Sequence, residues 1–192
     1  MPQPFVPLSL TRADSRLTFL PYAAHVLSWQ AGGRERLYLS ELAECRHGKA
    51  IRGGVPIIFP QFAGLGPYPK HGFARTTCWQ VAHRDDDSAR LLLEAGPDTA
   101  AWPFAFEALY DIRLLDAQLE LTLTIHNTDA RPFAFTAALH TYLRVHDIDV
   151  TRVAGLQRCR YRDSAAGDGA AGDAASSSSD AGGGRIDSDS EV

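Results

Sequence analysis

Arg52, His71 and Arg75 fall within one run of unusual composition, residues 51–79. It begins Ile-Arg-Gly-Gly-Val-Pro and continues through Phe59-Pro60 to Lys70-His71-Gly72-Phe73-Ala74-Arg75 and Trp79. Glycine and proline are too dense here for regular structure, yet the run is apolar and aromatic, unlike a linker. Buried irregular backbone carrying two guanidiniums and an imidazole has the composition of a binding loop on a rigid scaffold. A structural Ω-loop with surface arginines has the same composition. His140 stands in Ala-Ala-Leu-His-Thr-Tyr-Leu-Arg-Val. Alternation from Phe133 to Leu139 puts it on the face opposite the apolar one. A histidine there can donate a proton at neutral pH. It can also be a hydrogen-bonded structural residue. Tyr161-Arg162-Asp163 brings a third candidate, an acid that is unremarkable alone.

Other chemistries lack their signatures. There is no GxxxxGK[ST] phosphate loop, no GxSxG elbow and no HExxH pair. The spacing of His140 and His146 does not suggest a metal site, and none is expected. Cys45, Cys78 and Cys159 are far apart and odd in number, which argues for reduced thiols in a cytosol. The N-terminus lacks a basic segment followed by an apolar one, and no run of 18 apolar residues occurs, so no membrane partner is expected. The 192-residue chain has a formal charge of −4, but residues 164–192 hold six acids and one base. The remainder is near neutral, so no nucleic-acid partner is expected either.

The elements that must position these residues read as β. In residues 117–126, Leu119, Leu121, Leu123 and Ile125 alternate with Glu120, Thr122, Thr124 and His126. Upstream, Phe104, Phe106, Tyr110, Ile112 and Leu114 alternate against Glu107, Asp111 and Arg113. Asp116-Ala117 would join the two in a hairpin. Phe133, Phe135, Ala137 and Leu139 predict a further strand, with shorter ones at 36–39, 77–82 and 90–94. No strong amphipathic helix is present, so the expected fold is an all-β antiparallel sandwich or barrel. Residues 164–184 contain only Ser, Ala, Gly and Asp. Such a stretch cannot bury enough area to offset its ordering entropy, and predicts a flexible loop or tail after a domain at 1–163.

Taken together, Arg52-Gly-Gly-Val-Pro56, Phe59-Pro60, His71-Gly-Phe-Ala-Arg75, Trp79 and Leu139-His-Thr-Tyr-Leu-Arg-Val145 resemble the signature of hexose-6-phosphate mutarotases (glucose-6-phosphate 1-epimerases) of the aldose 1-epimerase superfamily. Val153-Ala-Gly-Leu156 and Tyr161-Arg-Asp163 follow in the same order, and the match runs from about residue 14 to 163. The resemblance implies a galactose-mutarotase-like antiparallel β-sandwich that interconverts α and β anomers of an aldohexose 6-phosphate. It implies His140 as the general acid at the ring oxygen. Arg52 and Arg75 become substrate ligands, which suits the fit of a guanidinium fork to phosphate oxygens. Asp163 would bind sugar hydroxyls, His71 would line the pocket, and Lys70, where the family often has Gln, would add a phosphate contact or be simply solvated. No metal or organic cofactor is implied.

The family's general base is a glutamate on a later strand. The resemblance therefore implies a chain incomplete at its C-terminus, with 185–192 the start of a truncated strand, lacking that base and self-associating through uncovered strand edges. On residues alone, a non-catalytic sugar-phosphate-binding β module and a mutarotase or binding domain for unphosphorylated sugar stay open.

Overall fold

The computed structural model describes residues 3–154. Asp163, Cys159, the 164–184 tract and residues 185–192 lie outside them. Contacts within the chain define two units, divided between Val145 and His146. In the second, the described residues form a turn in which the Asp147 side chain accepts the Asp149 amide at 2.9 Å.

The first unit is built on two four-stranded antiparallel meanders. One contains β1 (Leu8–Arg12), β2 (Ser15–Leu20), β3 (His25–Ala31) and β4 (Arg34–Glu35). The other contains β6 (Gln80–Arg84), β7 (Ser88–Glu94), β8 (Phe106–Leu114) and β9 (Leu119–Asn127). Between them in sequence lies β5 (Ile57–Ile58), which pairs with β10 (Ala138–Leu139).

The alternating β8–β9 pattern folds as the sequence predicts. Phe106, Ala108, Tyr110, Ile112 and Leu114 are buried, and the register runs from Phe106 opposite Asn127 to Leu114 opposite Leu119. A sheet with one face on the core and one in solvent leaves such an alternation. These side chains share one apolar core with Leu10, Leu17 and Phe19 of the first sheet and with Phe59, Phe73 and Trp79 of the intervening segment. Arg12 closes one end of the unit by pairing with Asp87 at 2.6 Å and Asp116 at 2.9 Å.

Three expectations change. The strand predicted across Phe133–Leu139 pairs only at Ala138 and Leu139. Its partner β5 is flanked by Pro56 and Pro60, which have no N–H to give a ladder, so the pairing is short. The strand predicted at 77–82 starts at Gln80, because the backbone of residues 77–79 pairs elsewhere: the Ala23 amide donates to the Thr77 carbonyl and the Trp79 amide to the Pro21 carbonyl, around an isolated bridge of Tyr22 to Cys78. Residues 36–39 make only isolated bridges, Leu37 to Leu143 and Leu39 to Gly53. The whole β1–β3 meander was not anticipated from sequence.

Candidate active site

The segment between the two meanders builds the site, and its glycines hold it in place. Gly72 has φ +68°, and a Cβ there would lie 2.0 Å from the Phe59 carbonyl oxygen. That carbonyl accepts the amides of Phe73 at 3.1 Å and Ala74 at 3.3 Å. The turn of residues 71–74 therefore lies directly on the buried Phe59-Pro60 peptide, which is cis. A short 3₁₀ turn, Ala74–Thr76, follows and carries Arg75. The Trp79 indole N–H, donating to the Ala74 carbonyl at 3.0 Å, anchors that turn to the core.

His71 is the most constrained of the candidates. Its φ of +69° lies in the left-handed region, uncommon for a residue with a Cβ. Its backbone amide donates to Ala63 at 3.0 Å, and its Nδ1 accepts the Ala63 amide at 3.2 Å. Accepting at Nδ1 leaves the neutral ring's proton on Nε2. The ring faces His140, with centroids 6.2 Å apart and planes at 83°. Burial holds His71 below the usual histidine range, helped by the charges of Arg75, His140 and Lys70.

His140 reaches this point through backbone pairing. Its amide donates to Pro56 at 3.0 Å, and the Tyr142 amide donates to Gly54 at 2.9 Å. The two residues share a strand face, and their rings are 5.0 Å apart. Leu139 points to the core and His140 is exposed. Arg75 is half-buried. One of its terminal nitrogens donates to the Lys70 carbonyl at 2.9 Å, while its Nε has no partner among the described residues. Burial lowers the Arg75 pKa, partly offset by Tyr142.

The structure thus brings together His71, Arg75 and His140, with Lys70 exposed beside them. It adds Tyr142, which the sequence reading did not single out; the only signal was its spacing of two from His140. Arg52 is exposed. Its carbonyl accepts the Ser40 amide at 3.1 Å, and its side chain makes no hydrogen bond or ion pair with the described residues. Asp163 lies outside the described residues. The assembled groups are donors and cations, an arrangement that suits an anionic ligand and proton donation to it.

The model of the aldose 1-epimerase family matches residues 8–173. The chain belongs to that family. A relative from Cenchrus ciliaris named "Putative glucose-6-phosphate 1-epimerase" is 40% identical over 159 residues, covering 74% of this chain and 47% of its own. The crystal structure of a mutarotase, so titled with the qualifier "putative", from Salmonella typhimurium superposes with a TM-score of 0.63 at 33% identity. It covers 73% of this chain, and 49% of that one. A galactose mutarotase-related enzyme from Lactobacillus acidophilus shares the fold, with a TM-score of 0.64 at 17% identity over 77% of this chain and 52% of that one. The chain spans about half the length of the curated relatives it matches. The all-β, galactose-mutarotase-like antiparallel fold expected from the sequence is the fold observed. No described helix is long and apolar enough to cross a membrane.

Proposed function

We propose that this site binds an aldohexose 6-phosphate and serves the interconversion of its α and β anomers. The observation that carries the reading is the convergence of His71 and Arg75, from one motif, with His140, from another, onto one cluster of proton donors that includes a guanidinium. The names of the matched relatives support the same substrate class.

In the proposed reaction His140 gives a proton to the ring oxygen as the C1–O5 bond breaks. A base takes the proton from the C1 hydroxyl, and the open-chain aldehyde forms. Rotation about C1–C2 and reclosure return the other anomer, with each proton moving back. Acid–base chemistry alone balances these steps, so no cofactor enters the proposal. Arg75, with Arg52 and Lys70, takes the phosphate oxygens. His71, neutral and with its proton on Nε2, donates to a sugar oxygen. Asp163 is assigned sugar hydroxyls. The resemblance puts the base outside residues 3–154. The same reading takes hexose 6-phosphate as partner and the cytoplasm as compartment, without nucleic acid or membrane.

Anomer exchange of glucose 6-phosphate, followed by NMR, tests it. In an enzyme that carries the base, the expected result is exchange above the buffer rate that falls about 10²–10⁴-fold in His140→Asn, the scale of a lost general acid. Exchange unaffected by that substitution refutes the role given to His140.

A further inference from the structure

His25 is a wholly buried histidine on an apolar strand, away from the cluster of His71, Arg75 and His140. Its Nε2 lies 2.9 Å from the Gly53 carbonyl oxygen. A carbonyl can only accept, so Nε2 bears the proton, and Nδ1, also buried, has no partner among the described residues. The Gly53 carbonyl takes no backbone donor among the described residues; the imidazole is its partner. A buried carbonyl left without one is destabilising, which gives a reason for histidine rather than an aliphatic residue here.

The neighbours of this bond connect it to the site. Gly53 and Gly54 have φ of +105° and +61°. A Cβ on Gly54 would lie 2.1 Å from the Val26 carbonyl oxygen and 2.8 Å from His25 Nε2, so Gly54 is pressed against β3, while a Cβ on Gly53 would lie 2.5 Å from the Tyr38 carbonyl oxygen on its other side. On one side the chain leaves as Arg52. On the other, Gly54 and Pro56 accept the amides of Tyr142 and His140. His25 itself is set by a tight turn at Ala23 and Ala24, with φ of 64° and 46°. That turn is bonded to the chain just beyond Arg75: the Ala23 amide donates to Thr77 at 2.8 Å and the Trp79 amide to Pro21 at 2.9 Å.

We infer that His25 is a positioning residue, whose Nε2–H holds the Gly53 peptide and so fixes both the exit of Arg52 and the backbone on which His140 and Tyr142 are hung. Its effect on ligand binding rests on the hexose 6-phosphate reading; its effect on the backbone does not. His25→Met removes the donor while keeping a side chain of similar bulk. His25→Gln puts an amide N–H near the place of Nε2.

Three measurements on the full chain test this. In the wild type, long-range ¹H–¹⁵N spectra are expected to show His25 neutral with its proton on Nε2. In His25→Met, the amide resonances of Gly54, His140 and Tyr142 shift, and the Kd for glucose 6-phosphate rises about tenfold, the scale of one lost hydrogen bond. In His25→Gln both return toward the wild type. A proton on Nδ1 overturns the inference, and this needs no variant to fold. So does a folded His25→Met with unchanged amides, or a His25→Gln indistinguishable from it. A wild type that does not bind glucose 6-phosphate removes the substrate reading, while the amide shifts still decide the role of His25.

Discussion

Burial of His25 makes a definite statement about acid stability. The ring is pushed from an ordinary value of 6.5 down to about 4, because desolvation penalises the imidazolium and the Gly53 carbonyl offsets this only in part. The unfolded chain takes up a proton near 6.5 and the folded chain only near 4. Between those values the unfolded state holds more protons, so stability falls as pH falls. The stabilising contribution is fully present above 6.5. About 1.4 kcal/mol of it is lost by a pH of about 5.5, and about 3 kcal/mol once the pH is below the folded value, at 1.36 kcal/mol per pH unit. Urea unfolding at pH values from about 7 to 4.5 measures this directly. Carboxylates and the other histidines titrate in every variant, so the comparison that isolates the effect is with His25→Gln, which has no proton to gain. The wild type should lose about 2–3 kcal/mol more than that variant across the range. Parallel stability curves would refute the reasoning and place a proton on His25 in the folded state.

Three further outcomes follow from particular groups. Arg75→Ala should weaken glucose 6-phosphate binding by about 1.5–3 kcal/mol, the value of a hydrogen bond to a charged group, read by calorimetry; an unchanged affinity removes Arg75 from the phosphate. The Tyr110 hydroxyl is fully buried with no partner among the described residues, so Tyr110→Phe should leave stability unchanged or raise it by about 1 kcal/mol in urea melts. A loss above about 1 kcal/mol would reveal a partner for it. Ala13, exposed in the β1–β2 turn with φ 49°, pays the left-handed penalty without any side-chain burial to offset it. Ala13→Gly should raise stability by about 0.5–1 kcal/mol after the entropy of glycine is counted, and a fall would show the turn to be unstrained.

The sequence made the central hairpin legible because β8 and β9 each turn one face to the core. Phe106, Tyr110 and Ile112 therefore alternate with Glu107, Asp111 and Arg113. The first meander hid itself. In β3 the buried positions include His25, while Leu27 and Trp29 are only half-buried, so polarity and burial fall out of step and the period-two pattern blurs. The Phe133–Leu139 pattern promised more strand than exists, because the length of a ladder depends on its partner, and Pro56 and Pro60 bound that partner at Ile57–Ile58.

The site divides along the same line. Residue type and spacing sufficed to name Arg52, His71, Arg75 and His140, since glycine-rich apolar backbone and a polar histidine on an apolar strand are local features. They also carried the family, because its motifs are short and contiguous. Which of these residues meet was a tertiary matter. The contact of His71 with His140 joins positions 69 residues apart, and depends on the Gly72 turn seating on Phe59 and on His140 pairing with Pro56. Tyr142 and His25 became visible only then. One is recognised by its electrostatic contact with Arg75, and the other by the buried carbonyl it satisfies. Neither property is written in a residue's own segment; each is a long-range contact that exists only once the core has closed.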